Sequence, residues 1–217
     1  MDYIFDVGMY DGLDTLNYLR MGFRVIAIEA NPELCKKNRY LFRDFIKKNQ
    51  LIIVNKGIGD KYKKMKLYID KLHKDRSTFL PALVTKEDKR YKTKEIKIIP
   101  FSEIINRFGV PFYLKIDIEG FDKYCLKPFK KNYKPKYISL EFSNKADIKR
   151  LKKLGYNKFK FVDQSNIKPK GSSGGFGKDA IDVISGNMWR SYYELVCSVD
   201  KIFKKSKYKW FDVHVTY

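Results

Sequence analysis

The chain has 217 residues, 44% of them hydrophobic and 33% charged, with a formal net charge of +21 at pH 7. This size suits one folded domain with a substantial core, and no apolar run approaches the ~20 residues of a membrane span. The three cysteines, Cys35, Cys125 and Cys197, are odd in number and lack C-x-x-C spacing, which argues against a disulfide framework or a zinc finger.

Strands and helices alternate from the start. Tyr3–Val7 is a short apolar run that ends at Gly8, and Asp11–Met21 carries Leu13, Leu16, Tyr18 and Leu19 at roughly helical spacing. Phe23–Ile28 predicts a buried second strand ending at Glu29. Asn31 then caps a helix, with Pro32 at its first position, that runs to about Lys48. Leu51–Val54 is a third strand, so the opening βαβαβ predicts a parallel sheet with right-handed crossovers. Lys66–Ile69 and Ile96–Ile99 read as strands separated by a polar loop. Ser102 caps a short helix ended by Gly109. Core strands follow at Phe112–Ile116 and Tyr137–Leu140. A helix over Lys145–Leu154 is closed by Gly155, and a further strand covers Lys158–Val162. The glycine-rich segment Gly171–Gly177 lies in a long aperiodic stretch suited to a lid or binding loop. A helix from Asn187 to about Lys204 and an alternating strand over Trp210–Tyr217 complete a single domain. With no leader before the first strand, a cytoplasmic protein is expected. The lack of a helix ahead of that strand leaves open that the domain belongs to a longer protein.

The charge has a particular character. Only nine of the 46 basic residues are arginine, and the lysines are spread along the chain with small clusters at 61–64, 127–136 and 201–209. Arginine's planar fork dominates phosphate and base recognition. The composition therefore reads mainly as a solvated lysine surface, which would still attract anionic substrates. It argues against a nucleic-acid partner without excluding one.

Two motifs carry chemistry. Asp6-Val-Gly8-Met-Tyr10-Asp-Gly12 follows a strand and opens a helix, where a glycine turn permits close backbone approach and a helix N-terminus attracts a carboxylate or phosphate. Thr15 adds a hydroxyl in the first turns. Glu29 stands 21 residues after Gly8 at the second strand tip, the expected place for an acid that binds a ribose diol. The spacing is G-x-x-x-G rather than G-x-G-x-x-G. It favours an adenosyl group with an amino-acid tail over the pyrophosphate of a nicotinamide dinucleotide. Ile58 and Asp60, after the third strand, are placed to touch an adenine. In Lys115-Ile-Asp117-Ile-Glu119-Gly120, alternation sets Lys115 and Asp117 on one face, with Asp117 and Glu119 at the carboxyl edge where such sheets bind ligands. These carboxylates could bind a sulfonium, deprotonate an acceptor hydroxyl or hold a divalent cation. Glu141 is a third acid at the same edge, and His214 alternates with Asp212 in the last strand. His73 reads as a solvated loop residue and Trp189 as core.

At these positions the chain resembles the FkbM family of S-adenosylmethionine (SAM) dependent methyltransferases. The likeness runs through Asp6-Val-Gly8, Gly12 and Thr15, through Glu29-Ala-Asn31-Pro32, and above all through Leu114-Lys-Ile-Asp117-Ile-Glu119-Gly120. Met9-Tyr10 replace the commoner Ala-Asn, and Phe121-Asp122 stand where a second Glu is usual. The Ser172–Gly177 segment with Trp189, and the Trp210-Phe-Asp-Val-His214 strand, are similar to one subgroup. The resemblance implies a class I, Rossmann-like α/β fold: a seven-stranded, mostly parallel sheet with an antiparallel last strand and helices on both faces. It implies a SAM site formed by Asp6, Gly8, Tyr10, Gly12, Thr15, Glu29, Asn31 and Asp117. Acceptor chemistry would fall to Asp117 and Glu119 with His214, and the acceptor would be a sugar hydroxyl of a glycan. An RNA ribose 2′-O-methyltransferase and a non-catalytic SAM-binding protein are the competing expectations.

Overall fold

The computed structural model describes residues 3–72, 77–84, 90–142, 144–163, 189–205 and 211–217. The elements in chain order begin with β1 (Tyr3–Val7), α1 (Leu13–Arg20), β2 (Arg24–Ile28), α2 (Pro32–Leu41), α3 (Arg43–Lys47), β3 (Leu51–Val54) and β4 (Gly57–Gly59). They continue with β5 (Lys63–Asp70), β6 (Tyr91–Pro100), α4 (Phe101–Phe108), β7 (Tyr113–Ile116), α5 (Asp122–Leu126) and β8 (Tyr137–Glu141). The last are α6 (Lys145–Lys153), β9 (Lys158–Asp163), α7 (Tyr192–Lys205) and β10 (Phe211–Thr216).

Seven strands form one sheet in the order β3-β2-β1-β7-β8-β10-β9. The pairs from β3 to β8 are parallel, and β10 enters antiparallel between β8 and β9. The expected fold class is therefore present. The strand order reverses direction between β1 and β7, which opens a crevice at their carboxyl ends.

Register makes the two faces of this sheet unlike. Phe5, Val7, Ile26, Ile28, Leu114, Ile116, Ile138, Leu140, Val213 and Val215 share one face, a dry core packed by Ile104 and Ile105 of α4, Cys125 of α5, Ile148 of α6 and Leu195 of α7. The opposite face starts apolar, with Ile4, Val25, Tyr113 and Tyr137 beneath Tyr18 and Leu19 of α1. One row further along, pairing aligns Asp6, Lys115, Ser139, His214 and Lys160 across five strands. All five are buried. Parallel strands covered on both sides are normally apolar throughout, so the polar residues of this row on β1, β7 and β8 are unusual.

Four expectations change in detail. The helix expected from Asn31 to Lys48 breaks at Phe42, whose ring turns inward so that a Cβ on Gly12 would lie only 2.6 Å from it. The loop expected between two short strands shortens, because β5 and β6 pair antiparallel from Lys63↔Ile98 to Asp70↔Tyr91 and form a second sheet with β4. The lysines on its solvent side mask that alternation. Ser102 is not a cap: the helix begins one residue earlier, with Phe101 buried and no side-chain cap bond. The final helix starts at Tyr192 rather than Asn187. Gly171–Gly177 and His73 fall outside the described residues. Among the described residues no helix is long and apolar enough to cross a membrane.

Candidate active site

The turn after β1 folds back onto the tip of β2. Gly8 has φ +93°, and a Cβ there would meet the Asp117 carbonyl oxygen at 1.9 Å, so only glycine allows β1 and β7 to approach so closely. The amides of Gly8 and Met9 donate to the Ile28 carbonyl at 2.9 and 3.2 Å, and Gly12 N–H donates to Met9 at 2.9 Å. Three amides of the turn, those of Gly8, Met9 and Gly12, are thus paired within the protein. What the turn presents is the Glu29 carboxylate, which accepts from Tyr10 N–H at 2.9 Å and from Asn31 N–H at 2.7 Å. Asn31 also caps α2 by accepting from Glu33 N–H at 3.0 Å.

Two asparagines that sequence reasoning missed brace this corner. Asn38 donates to the Tyr10 carbonyl at 2.7 Å, and Asn55 donates to the Glu29 and Ala30 carbonyls at 2.9 and 3.1 Å. Neither had a legible signal, since each bonds to backbone far away in sequence. Burial, opposed by the two amide bonds, pushes the Glu29 carboxyl up to about 7. A carboxylate with two oxygens and about four lone-pair sites still has acceptor capacity for a diol.

Across the crevice, β7 ends at Asp117 and a tight turn follows. Glu119 has φ +51°, which is uncommon for a residue with a side chain. Asp122 holds the turn by accepting from Ile118 N–H at 3.3 Å and Gly120 N–H at 3.1 Å. Its carboxyl is raised to about 6, chiefly by burial and then by Asp117. Carboxylate oxygens of Asp117, Glu119 and Glu141 all lie within 4.8 Å of one another. Glu141 is pushed up to about 7, by burial first and then by Asp117 and Asp122. Such a trio has the hard oxygen donors that suit a divalent cation, and in Glu141 a raised acid that suits proton transfer.

The expected residues therefore divide. Gly8, Tyr10, Gly12, Glu29, Asn31, Asp117 and Glu119 stand at the β1–β2–β7 edge, and Asp6 lies buried one row inward. Thr15 faces inward instead: it is fully buried, and its hydroxyl donates to Asp6 at 2.6 Å. Ile58 is packed in the core beside Val7 and Ile28, so its side chain does not line the crevice. Asp60 is drawn outward into an ion pair with Lys63 at 2.8 Å. His214 lies a row inward from the edge, and neither ring nitrogen has a hydrogen-bond partner among the described residues. Burial, followed by Lys160, lowers it to about 3, so it stays neutral and is a weak base. Trp189 is half-buried against the apolar end of the same face.

The second sheet reaches this site. Phe79 and Phe121 pack together, their ring centroids 5.6 Å apart, with Ala30 beside Glu29 and Ile118 beside Asp117 against their cluster. A Cβ added at Gly120 would lie 3.0 Å from the Leu80 side chain. Lys92 of β6 bonds Glu33 at the start of α2 at 2.5 Å.

A sheet in this order, with its last strand reversed and its glycine turn, strand-tip acid and edge carboxylates at one crevice, defines a class I, Rossmann-like methyltransferase fold. The model of the methyltransferase FkbM domain matches residues 6–165, most of the chain, and the chain belongs to that family. No curated protein matches the sequence. Among solved structures, it is similar to a precorrin-6y C5,15-methyltransferase from Geobacter metallireducens GS-15, at 12% identity and TM-score 0.43 over 100% of this chain and 79% of that one. It is also similar to the methyltransferase domain of bacterial CtHen1-CN, at 9% identity and TM-score 0.46 over 100% of this chain and 90% of that one.

Proposed function

We propose that the chain is a SAM-dependent O-methyltransferase that acts on a sugar hydroxyl in a glycan or glycoconjugate. The observation that carries this reading is the Glu29 carboxylate, anchored on the Tyr10 and Asn31 amides beside a glycine turn, at the same end of the sheet as Asp117 and Glu141. The cofactor supplies an electrophilic methyl group when bound. Glu29 accepts hydrogen bonds from its ribose diol, while Gly8, Gly12 and the Tyr10 backbone shape the wall for its amino-acid tail. Asp6, braced by Thr15, supports that wall from below.

On the acceptor side, the sugar oxygen would take the methyl as the S–CH3 bond breaks, the sulfur leaving as the neutral thioether of S-adenosylhomocysteine, and the hydroxyl proton would pass to an edge carboxylate. Glu141, raised to about 7, is matched to that task near neutral pH. Asp117 and Glu119 orient the acceptor, and the trio also suits a divalent cation if the reaction uses one. His214, neutral and buried, acts in this reading as a hydrogen-bonding group rather than as the base.

The test is transfer of a trideuterated methyl group from labelled SAM to a panel of oligosaccharides and to RNA, read by a mass gain of about 17 Da per hydroxyl. Labelled sugar, and RNA retained on filters only at low salt, is the expected result. Labelled RNA 2′-hydroxyls would replace the sugar assignment, and label on neither would leave only cofactor binding.

A further inference from the structure

Lys115 stands between the two halves of the site. Its Nζ donates to the Gly8 carbonyl at 3.0 Å and lies 3.4, 3.5 and 3.6 Å from carboxylate oxygens of Asp6, Asp14 and Asp117. These partners come from the cofactor turn, from β1, from the first turn of α1 and from the end of β7. The side chain is only 4% exposed. Neighbouring positions on β7, Leu114 and Ile116, point into the dry core of the other face.

An all-aliphatic set in place of Lys115, Asp6 and Asp14 together would serve stability about as well. Exchange of buried ion pairs for apolar side chains is often neutral or stabilising. Burial disfavours the ammonium, yet Asp6, Asp117, Asp14 and Asp212 together outweigh it and keep Lys115 charged. One cation is thus shared among a backbone carbonyl that shapes the cofactor wall and a carboxylate that meets the acceptor.

We propose that Lys115 is a positioning residue that locks the Gly8 turn and the Asp117 carboxylate into one geometry, so that cofactor and acceptor are aligned by a single buried ammonium. This rests on the methyltransferase reading above. Asp14, which carries no expected role in the sequence motifs, joins the site as part of the cage around Lys115, and Thr15 acts through its bond to Asp6.

The experiment compares wild type with Lys115→Met and Lys115→Arg. It uses thermal melts, calorimetric titration with S-adenosylhomocysteine, and kcat as a function of pH. For folded Lys115→Met the expected result is a roughly 100-fold loss in kcat, the scale of a misplaced reacting group. The acid limb of its rate profile should move to higher pH, since the cation that favours charged carboxylates is gone. Lys115→Arg should melt closer to wild type but not recover kcat, because a planar fork cannot occupy the single position shared by Gly8 and three carboxylates. Wild-type kcat and pH profile in folded Lys115→Met would overturn the proposal. Failure of both variants to fold would also overturn it, in favour of a purely structural role. A wild type that neither binds the cofactor product nor transfers methyl removes the methyltransferase reading itself. Intact transfer with an insensitive Lys115 removes only this inference.

Discussion

At the scale of single residues the site is a set of carboxylates held at unusual proton affinity. Glu29, Glu141 and Asp122 are raised to about 7, about 7 and about 6, in each case mainly by burial. A carboxyl whose folded value exceeds its unfolded value contributes stability that is complete below about pH 4.5 and is lost as pH rises through the folded value. For Glu141 that window runs from its ordinary 4.5 to about 7. Between pH 5 and 8 the wild type should therefore lose stability relative to Glu141→Gln, by on the order of 1–3 kcal/mol. Chemical denaturation at both pH values checks this, and a pH-independent difference would mean that Glu141 titrates normally. Most of these acids were legible in sequence as strand-tip residues. Asp122 looked like a departure from the family pattern, but its two amide bonds hold the turn that lifts Glu119 into the left-handed region.

At the scale of elements, alternation and glycine spacing gave the first three strands and α1 closely, because each is a short apolar run bounded by Gly or an acid. The second sheet was harder to read. Its strands carry lysine on the outer face, and its pairing joins segments about 30 residues apart, which local periodicity cannot reveal. Thr15, Ile58 and His214 show the same limit from the other side: sequence placed each near the site, but their orientations depend on Asp6, on the core and on the inner polar row. The small sheet is keyed to the crevice by Phe121, buried between Phe79 and Tyr124 with centroids at 5.6 and 5.4 Å. Truncation by Phe121→Ala should cost about 3 kcal/mol or more and raise the KM for acceptor as the 118–122 turn loosens. An unchanged KM in a folded variant would detach this sheet from acceptor binding.

At the scale of the whole molecule, one face of the sheet works as a dry scaffold and the other carries a buried polar row that leads to the crevice. The +21 charge is predominantly lysine, and such a field would raise the rate of encounter with any anionic partner. The family was legible because its motifs coincide with strand ends, where backbone geometry restricts residue choice. The acceptor was not, because in the proposed reading it would meet side chains that only folding brings together, such as Asp117 after β7 and Glu141 of β8. The central claim is that Glu29 grips the cofactor beside the Gly8 turn. Calorimetric titration of wild type and Glu29→Ala with S-adenosylhomocysteine at pH 8, above the value of about 7 for this carboxyl, tests it most directly. The account predicts clear binding by wild type and none by a folded Glu29→Ala, whereas equal affinity in the two proteins would contradict it.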